Sequence, residues 1–287
     1  VIHDSAATDR RPAAAWVGSA DDVELAWVRT AVADLVQVRE FGGVEAAVSA
    51  ESGPFWPAVV LLGTDAASRW PLPALTAIAR RWPLAPLVSV ATSLVEGRRR
   101  SGPALPGAEE VPWNEVPVRL TTWLADRRAG RPGTLGLPAT ARREDRALEA
   151  VAALTPTARA STRVSVAADR PIDLEGLVDI VAASDREIIR RTCGRPPLDE
   201  PADVLVWDAG ALGTAQLAWL QLLAANRPGL RVVVIDSFPR ADTALAALRA
   251  GAAAVLGRPL SAESLAGALA GPGPGRSAGL GPVGRDG

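Results

Sequence analysis

Short runs that are apolar at every position alternate along this chain with stretches where leucine and valine recur at helical spacing. In the C-terminal half, Val164 to Ala167 is strand-like, and Leu174, Leu177, Val178 and Val181 follow it at i, i+3, i+4 and i+7. Val204 to Trp207, a helix carrying Leu217, Leu220 and Leu223, and Val232 to Ile235 come next. Leu245 and Leu248 mark a further helix and Ala254 to Leu256 a further strand. Ser261 is placed to cap a last helix, with Glu263 near the positive end of its dipole and Leu265 and Leu269 on its buried side. Strands without a polar face need cover on both sides. Helices between them supply it, so the pattern predicts a doubly wound parallel sheet of the α/β class.

The N-terminal half repeats this pattern. Pro57-Ala58 falls on Pro201-Ala202, Val59 to Leu62 on Asp203 to Val206, Leu87 to Val90 on Arg231 to Val234, and Gly107-Ala108 on Gly251-Ala252, all at a shift of 144 residues. Upstream the shift is 149, with Val17 on Val166 and Leu25 on Leu174. The second copy is therefore shorter between its first helix and third strand. Two tandem domains are expected at 14–128 and 162–270, joined by a Gly/Pro/Arg linker, 129–161, in which Ala147, Leu148 and Val151 line one side of a short helix. Residues 1–13 and the Gly/Pro tail 271–287 are expected to be disordered.

Composition narrows the chemistry. Every basic residue other than His3 is arginine, and lysine, methionine and tyrosine are missing altogether. Schiff-base and P-loop lysines are thereby excluded, and no G-x-G-x-x-G follows a strand. With His3 alone in a polar start and Cys193 the only cysteine, zinc clusters, disulfides and Ser-His-Asp chemistry have no residues to draw on. No apolar run reaches the roughly 18 residues of a membrane span, and the start lacks the apolar core of a signal peptide. A cytoplasmic location without a membrane partner is expected. A net charge of −1 gives no general attraction to nucleic acid, and no helix-turn-helix follows the second copy, so direct nucleic-acid binding is not expected. Arg98 to Arg100 reads as a solvated loop, and the nine tryptophans divide between core and interface in a way the pattern does not resolve.

Three stretches of the second half carry a resemblance. AADRPIDLEGL, Ala167 to Leu177, is similar to the first loop and helix of the receiver domains of bacterial response regulators. PADVLVWD, Pro201 to Asp208, resembles their third strand, which ends in the phosphoacceptor aspartate, and RAGAAAVLGRPLSAESL, Arg249 to Leu265, resembles their closing strand, lysine-proline and last helix. The resemblance implies two flavodoxin-like receiver domains in tandem, with sites at the carboxyl ends of the strands.

Carried over by position, the family's acid pair falls on Ala168 and Asp169, its phosphoacceptor on Asp208, its Thr/Ser on Asp236 and its lysine on Arg258. Asp169 and Asp208 are then candidate metal ligands, with Mg2+ needed only if this domain is phosphorylated. Asp236 would repel an incoming phosphoryl group, and an ion pair from Arg258 to Asp208 or Asp236 would lock the site. Asp169 and Asp208 can equally be ordinary polar residues at strand ends.

In the first copy the matched positions are Ser19, Ala20, Thr64, Thr92 and Asn114, with Asp21, Asp22 and Asp65 nearby. No cofactor and no catalytic residue are expected. The expected function is a non-catalytic pseudo-receiver adaptor in a two-component or phosphorelay pathway. Its partners would be proteins, such as a histidine kinase, another response regulator or a second copy, met through the last helices and strand, Thr243 to Ala250 and Leu256 to Leu269. The alternatives are a phosphoacceptor using Asp208 and, in another class, a small-molecule enzyme on a doubly wound sheet.

Overall fold

Apolar strands set the architecture. In the computed structural model the chain divides into two units, residues 1–150 and 151–287. The structure describes residues 11–50, 55–65, 70–95, 105–131, 133–137, 141, 144–146, 148–149, 162–184 and 186–271. Arg98 to Arg100, Ala147, Val151 and nearly all of both termini lie outside the described residues.

The first unit contains β1 (Ala13–Val17), α1 (Val23–Ala33), β2 (Gln37–Phe41), α2 (Val44–Ser49), β3 (Val59–Thr64), α3 (Leu72–Arg81), β4 (Leu87–Ala91), β5 (Ala108–Pro112) and α4 (Val116–Arg128). Its strands are all parallel, in the order β2-β1-β3-β4-β5. The second unit contains β6 (Arg163–Ala168), α5 (Pro171–Ala182), β7 (Glu187–Cys193), β8 (Val204–Asp208), α6 (Thr214–Asn226), β9 (Arg231–Asp236), α7 (Ala241–Arg249), β10 (Ala252–Gly257) and α8 (Ala262–Ala270). Its order, β7-β6-β8-β9-β10, is the same. Each unit is a flavodoxin-like, doubly wound α/β domain. Ala13, read as part of the polar start, is the first residue of β1 and pairs with Gln37.

The strand registers repeat as the sequence does. Val17 pairs with Leu62 and Val166 with Val206, while Val60 pairs with Leu87 and Val204 with Arg231. The shifts read from sequence therefore superpose the two sheets, and they place Thr64 where Asp208 stands. Every residue of β3, β8 and β9 is buried. At about 1.5–3 kcal/mol per fully buried large apolar side chain, these central strands hold each unit together.

Caps and short pins set the rest. The Asp22 carboxylate accepts from the amides of Glu24 and Leu25 to start α1, and the Ser261 hydroxyl accepts from Ser264 to start α8, as expected. The shortening of the second copy falls between β7 and β8. Residues 194–203 form turns there, where the first unit has α2. Glu200 anchors this connection from inside: it is fully buried, accepts from the Ser165 hydroxyl at 2.5 Å and lies 3.8 Å from the Arg190 guanidinium. Trp219 donates to the Pro196 carbonyl at 2.8 Å, and Arg195 stacks over the Trp219 ring.

The described part of the linker stretch is tied to the first unit. Trp123 donates to the Thr134 hydroxyl at 2.9 Å, Arg131 pairs with Asp126, and Arg146 pairs with Glu109 at 2.8 Å. Residues 144–146 and 148–149 are helical. Among the tryptophans, Trp16, Trp82, Trp113 and Trp207 are core residues, whereas Trp56 is 68% exposed.

The helix α8 departs from the expected partner-binding face. Glu263, Ser264 and Gly267 are buried along with Leu265 and Leu269, so most of its circumference is covered. The Arg231 guanidinium donates to the carbonyls of Ala268 and Leu269 at its carboxyl end. No helix among the described residues is long and apolar enough to cross a membrane.

Candidate functional site at the carboxyl ends of the strands

A parallel sheet ends with all its strands delivering side chains to one edge, and in the second unit β8, β9 and β10 deliver Asp208, Asp236 and Arg258. Asp208 is the last residue of β8 and is buried. One carboxylate oxygen accepts from the Gly210 amide at 3.0 Å, and the other accepts from the Arg258 guanidinium. Arg258 directly follows β10, and its Nη2 also lies 3.2 Å from the Asp173 carboxylate. One cation therefore bridges two acids.

Asp173 occupies the first turn of α5 and was not among the positions singled out from sequence. The hydrogen bond from Arg170, assisted by Arg258, holds its carboxyl below the usual carboxylate range. The same 149-residue shift that lays Leu25 on Leu174 lays Glu24 on Asp173. That coincidence was the available signal.

Asp236, at the end of β9, is buried and accepts from the amide of Phe238 at 3.2 Å, with Leu212 and Ser237 as further backbone donors. Burial nevertheless pushes its carboxyl above the ordinary range. Asp169 follows β6 and is exposed. Its backbone carbonyl receives a weak contact from the Cys193 thiol at 3.8 Å. The structure thus brings Asp208, Asp173 and Arg258 together, with Asp236 on the next strand to Asp208 and Asp169 one residue beyond Ala168, the register partner of Asp208.

The corresponding edge of the first unit is filled differently. Thr64, at the Asp208 position, shares a hydrogen bond of 2.8 Å with the Ser89 hydroxyl and accepts from Trp70 Nε1 at 2.9 Å. The Trp70 ring lies against Gly18, where a Cβ would meet it at 3.4 Å and where φ is +107°. The positive φ is what favours glycine at this position, and the indole packs against it at ordinary contact distance. Glu24 is buried and accepts from both the amide and the hydroxyl of Ser93 at 2.6 Å. Thr92 is buried with an unpartnered hydroxyl among the described residues, and Asn114 is buried at the Arg258 position. Asp21 accepts from the Ser19 hydroxyl and Asp22 caps α1, so these two acids are engaged in the local turn. No group of three or more His, Cys, Asp or Glu side chains converges as a metal site among the described residues.

In fold, the chain is a tandem of two receiver-like domains. No family model and no curated protein matches its sequence. Solved structures similar to it include a pilus assembly-related protein from Burkholderia pseudomallei, 27% identical over 41% of this chain and 98% of that one, with a TM-score of 0.36. The pilus assembly protein CpaE from Caulobacter crescentus is 20% identical over 38% of this chain and 91% of its own, with a TM-score of 0.33. A response regulator from Thermotoga maritima is 15% identical over 37% and 92%, with a TM-score of 0.32.

Proposed function

We propose that this chain is a regulatory, non-catalytic adaptor that works by binding proteins, with receiver-like domains whose phosphorylation sites are closed from within. One observation carries the proposal: the Arg258 guanidinium sits on the Asp208 carboxylate while also reaching Asp173. A phosphoryl group transferred to Asp208 would have to displace that cation, which also serves Asp173, at an edge where the neighbouring strand ends in Asp236, and like charges brought close repel where screening is weak.

The donor set does not fit a magnesium ion either. Asp208 is already engaged by a guanidinium, and the position beside Asp169 that the resemblance reserves for a second acid is Ala168, buried in its strand. In the first unit the acceptor carboxylate is replaced by Thr64, whose hydroxyl is engaged by Ser89 and Trp70. Without an available acceptor, signalling would pass through surfaces and not through group transfer. A two-component pathway is the setting in which such a module would act, with a histidine kinase or another response regulator as its partner.

The test is incubation of the full chain with acetyl phosphate and magnesium, followed by intact-mass spectrometry. The expected result is an unchanged mass. A magnesium-dependent gain of one phosphoryl group that disappears in Asp208→Ala would overturn the proposal and establish a phosphoacceptor.

A further inference from the structure

The closed edge of the second unit has a further charged group at its outer end. Arg170, the residue before α5, donates from its Nε to one Asp173 carboxylate oxygen at 2.5 Å, while the Arg258 Nη2 lies 3.2 Å from the other. The same Arg258 nitrogen donates to Asp208. Arginine and aspartate therefore alternate in one line, Arg170 to Asp173 to Arg258 to Asp208. Its outer side chain, Arg170, is 69% exposed, and its inner one, Asp208, is 4% exposed.

Neighbouring contacts along such a line compete. Two carboxylates share the charge of Arg258, and two guanidiniums share that of Asp173. With Arg170 bound to it, Asp173 draws less on Arg258, and that cation is left to the buried acid. Without Arg170, Asp173 would depend on Arg258 and pull it away from Asp208.

The duplication supplies an internal comparison. At the 149-residue shift Arg170 falls on Asp21, as Asp173 falls on Glu24. The first unit has Thr64 in place of Asp208, Asn114 in place of Arg258 and an acid in place of Arg170, and its Glu24 bonds to Ser93 instead. The outer arginine is present in the copy whose third strand ends in an acid and missing from the copy whose third strand ends in a hydroxyl.

We propose that Arg170 is a positioning residue of the closed site: by holding Asp173 it commits Arg258 to Asp208, and so sets from the surface how firmly the acceptor is closed. The proposal rests on the reading of Asp208 as closed by Arg258. The competing account is a local tie, since Arg170 immediately precedes α5 and Asp173 lies in its first turn. A tie of that kind would be indifferent to Asp208.

The test is the coupling between Arg258 and Asp208, measured in the full chain by double-mutant cycles with Arg258→Gln and Asp208→Asn in three backgrounds: the parent, Arg170→Gln, and Arg170→Gln/Asp173→Asn. Unfolding of the second unit in urea is followed by the amide NMR signals of β8. Any change in helix stability within a background is common to the four corners of its cycle and cancels. Arg170 reaches solvent and Asp208→Asn keeps the shape of the side chain, while a parallel set with Arg258→Lys keeps a cation beside the buried acid. The coupling is expected to fall by roughly half or more in Arg170→Gln, and to return to the parent value or above once Asp173→Asn removes the competitor. A coupling unchanged by Arg170→Gln, or one that Asp173→Asn does not restore, would overturn the role of Arg170 while leaving Asp208 closed. No coupling in the parent would instead remove the closed-site reading itself, and this inference with it.

Discussion

The guanidinium of Arg258 and the carboxylate of Asp208 form an ion pair across fifty residues of sequence, joining the ends of β10 and β8. Asp208 is buried, but the Arg258 side chain is 37% exposed, so solvent screens part of the attraction. A double-mutant cycle with Arg258→Gln and Asp208→Asn, followed by urea unfolding, is expected to give a coupling of about 1–3 kcal/mol. Asp208→Asn should be tolerated better than Arg258→Gln, which leaves a buried carboxylate without its cation.

The two flanking acids respond to pH with opposite signs. Asp236 is raised in the folded state, so its contribution to stability is fully present below the ordinary carboxylate range and is lost as pH rises through its folded value. Asp236→Asn should therefore stabilise the second unit at neutral pH, with a gain that shrinks towards acid. Asp173 is depressed, mainly by Arg170, so it contributes above the ordinary carboxylate range and loses that contribution as pH falls through its folded value. Asp173→Asn should destabilise at neutral pH and become neutral in strong acid. Thermal unfolding of the variants across the acid range checks both signs.

In the first unit, Glu24 should matter structurally. Removing its carboxylate in Glu24→Ala strands two donors of Ser93, at a cost of about 1–3 kcal/mol. Ser93→Ala removes only the hydroxyl, and a smaller loss is expected. Urea unfolding monitored through the buried tryptophans measures both.

Much of this fold was visible in the pattern of residues. Strands such as Val59 to Leu62 and Val232 to Ile235 are apolar on both faces, and that property reports burial directly, without tertiary knowledge. The two shifts between the halves also survive in the registers of the sheets. The closing contacts were harder to see. Asp173 reaches Arg258 because α5 turns it towards the strand ends, and Trp70 reaches Thr64 from a loop between β3 and α3, packed against Gly18. Such contacts depend on where the chain returns in space, which local periodicity does not encode. The apolar stripe of α8 showed Leu265 and Leu269, but the burial of Ser264 and Gly267 depends on neighbours from outside the helix.

If the second site has lost its chemistry through its side chains and not its backbone, putting them back should restore it. Ala168→Asp, Asp236→Thr and Arg258→Lys together recreate the donor set implied by the resemblance. This triple variant is expected to gain magnesium-dependent labelling at Asp208, while Arg258→Lys alone, with Asp236 still in place, should gain little. Mass spectrometry after incubation with acetyl phosphate separates the two outcomes.

The occupancy of Asp208 is most directly read by 19F NMR of the full chain titrated with beryllofluoride and magnesium. With Arg258 holding the carboxylate, no protein-bound fluorine resonance should emerge at any concentration of the analogue. A saturable bound resonance that vanishes in Asp208→Ala would mean that the acceptor is open, and the account of an internally closed site would be wrong.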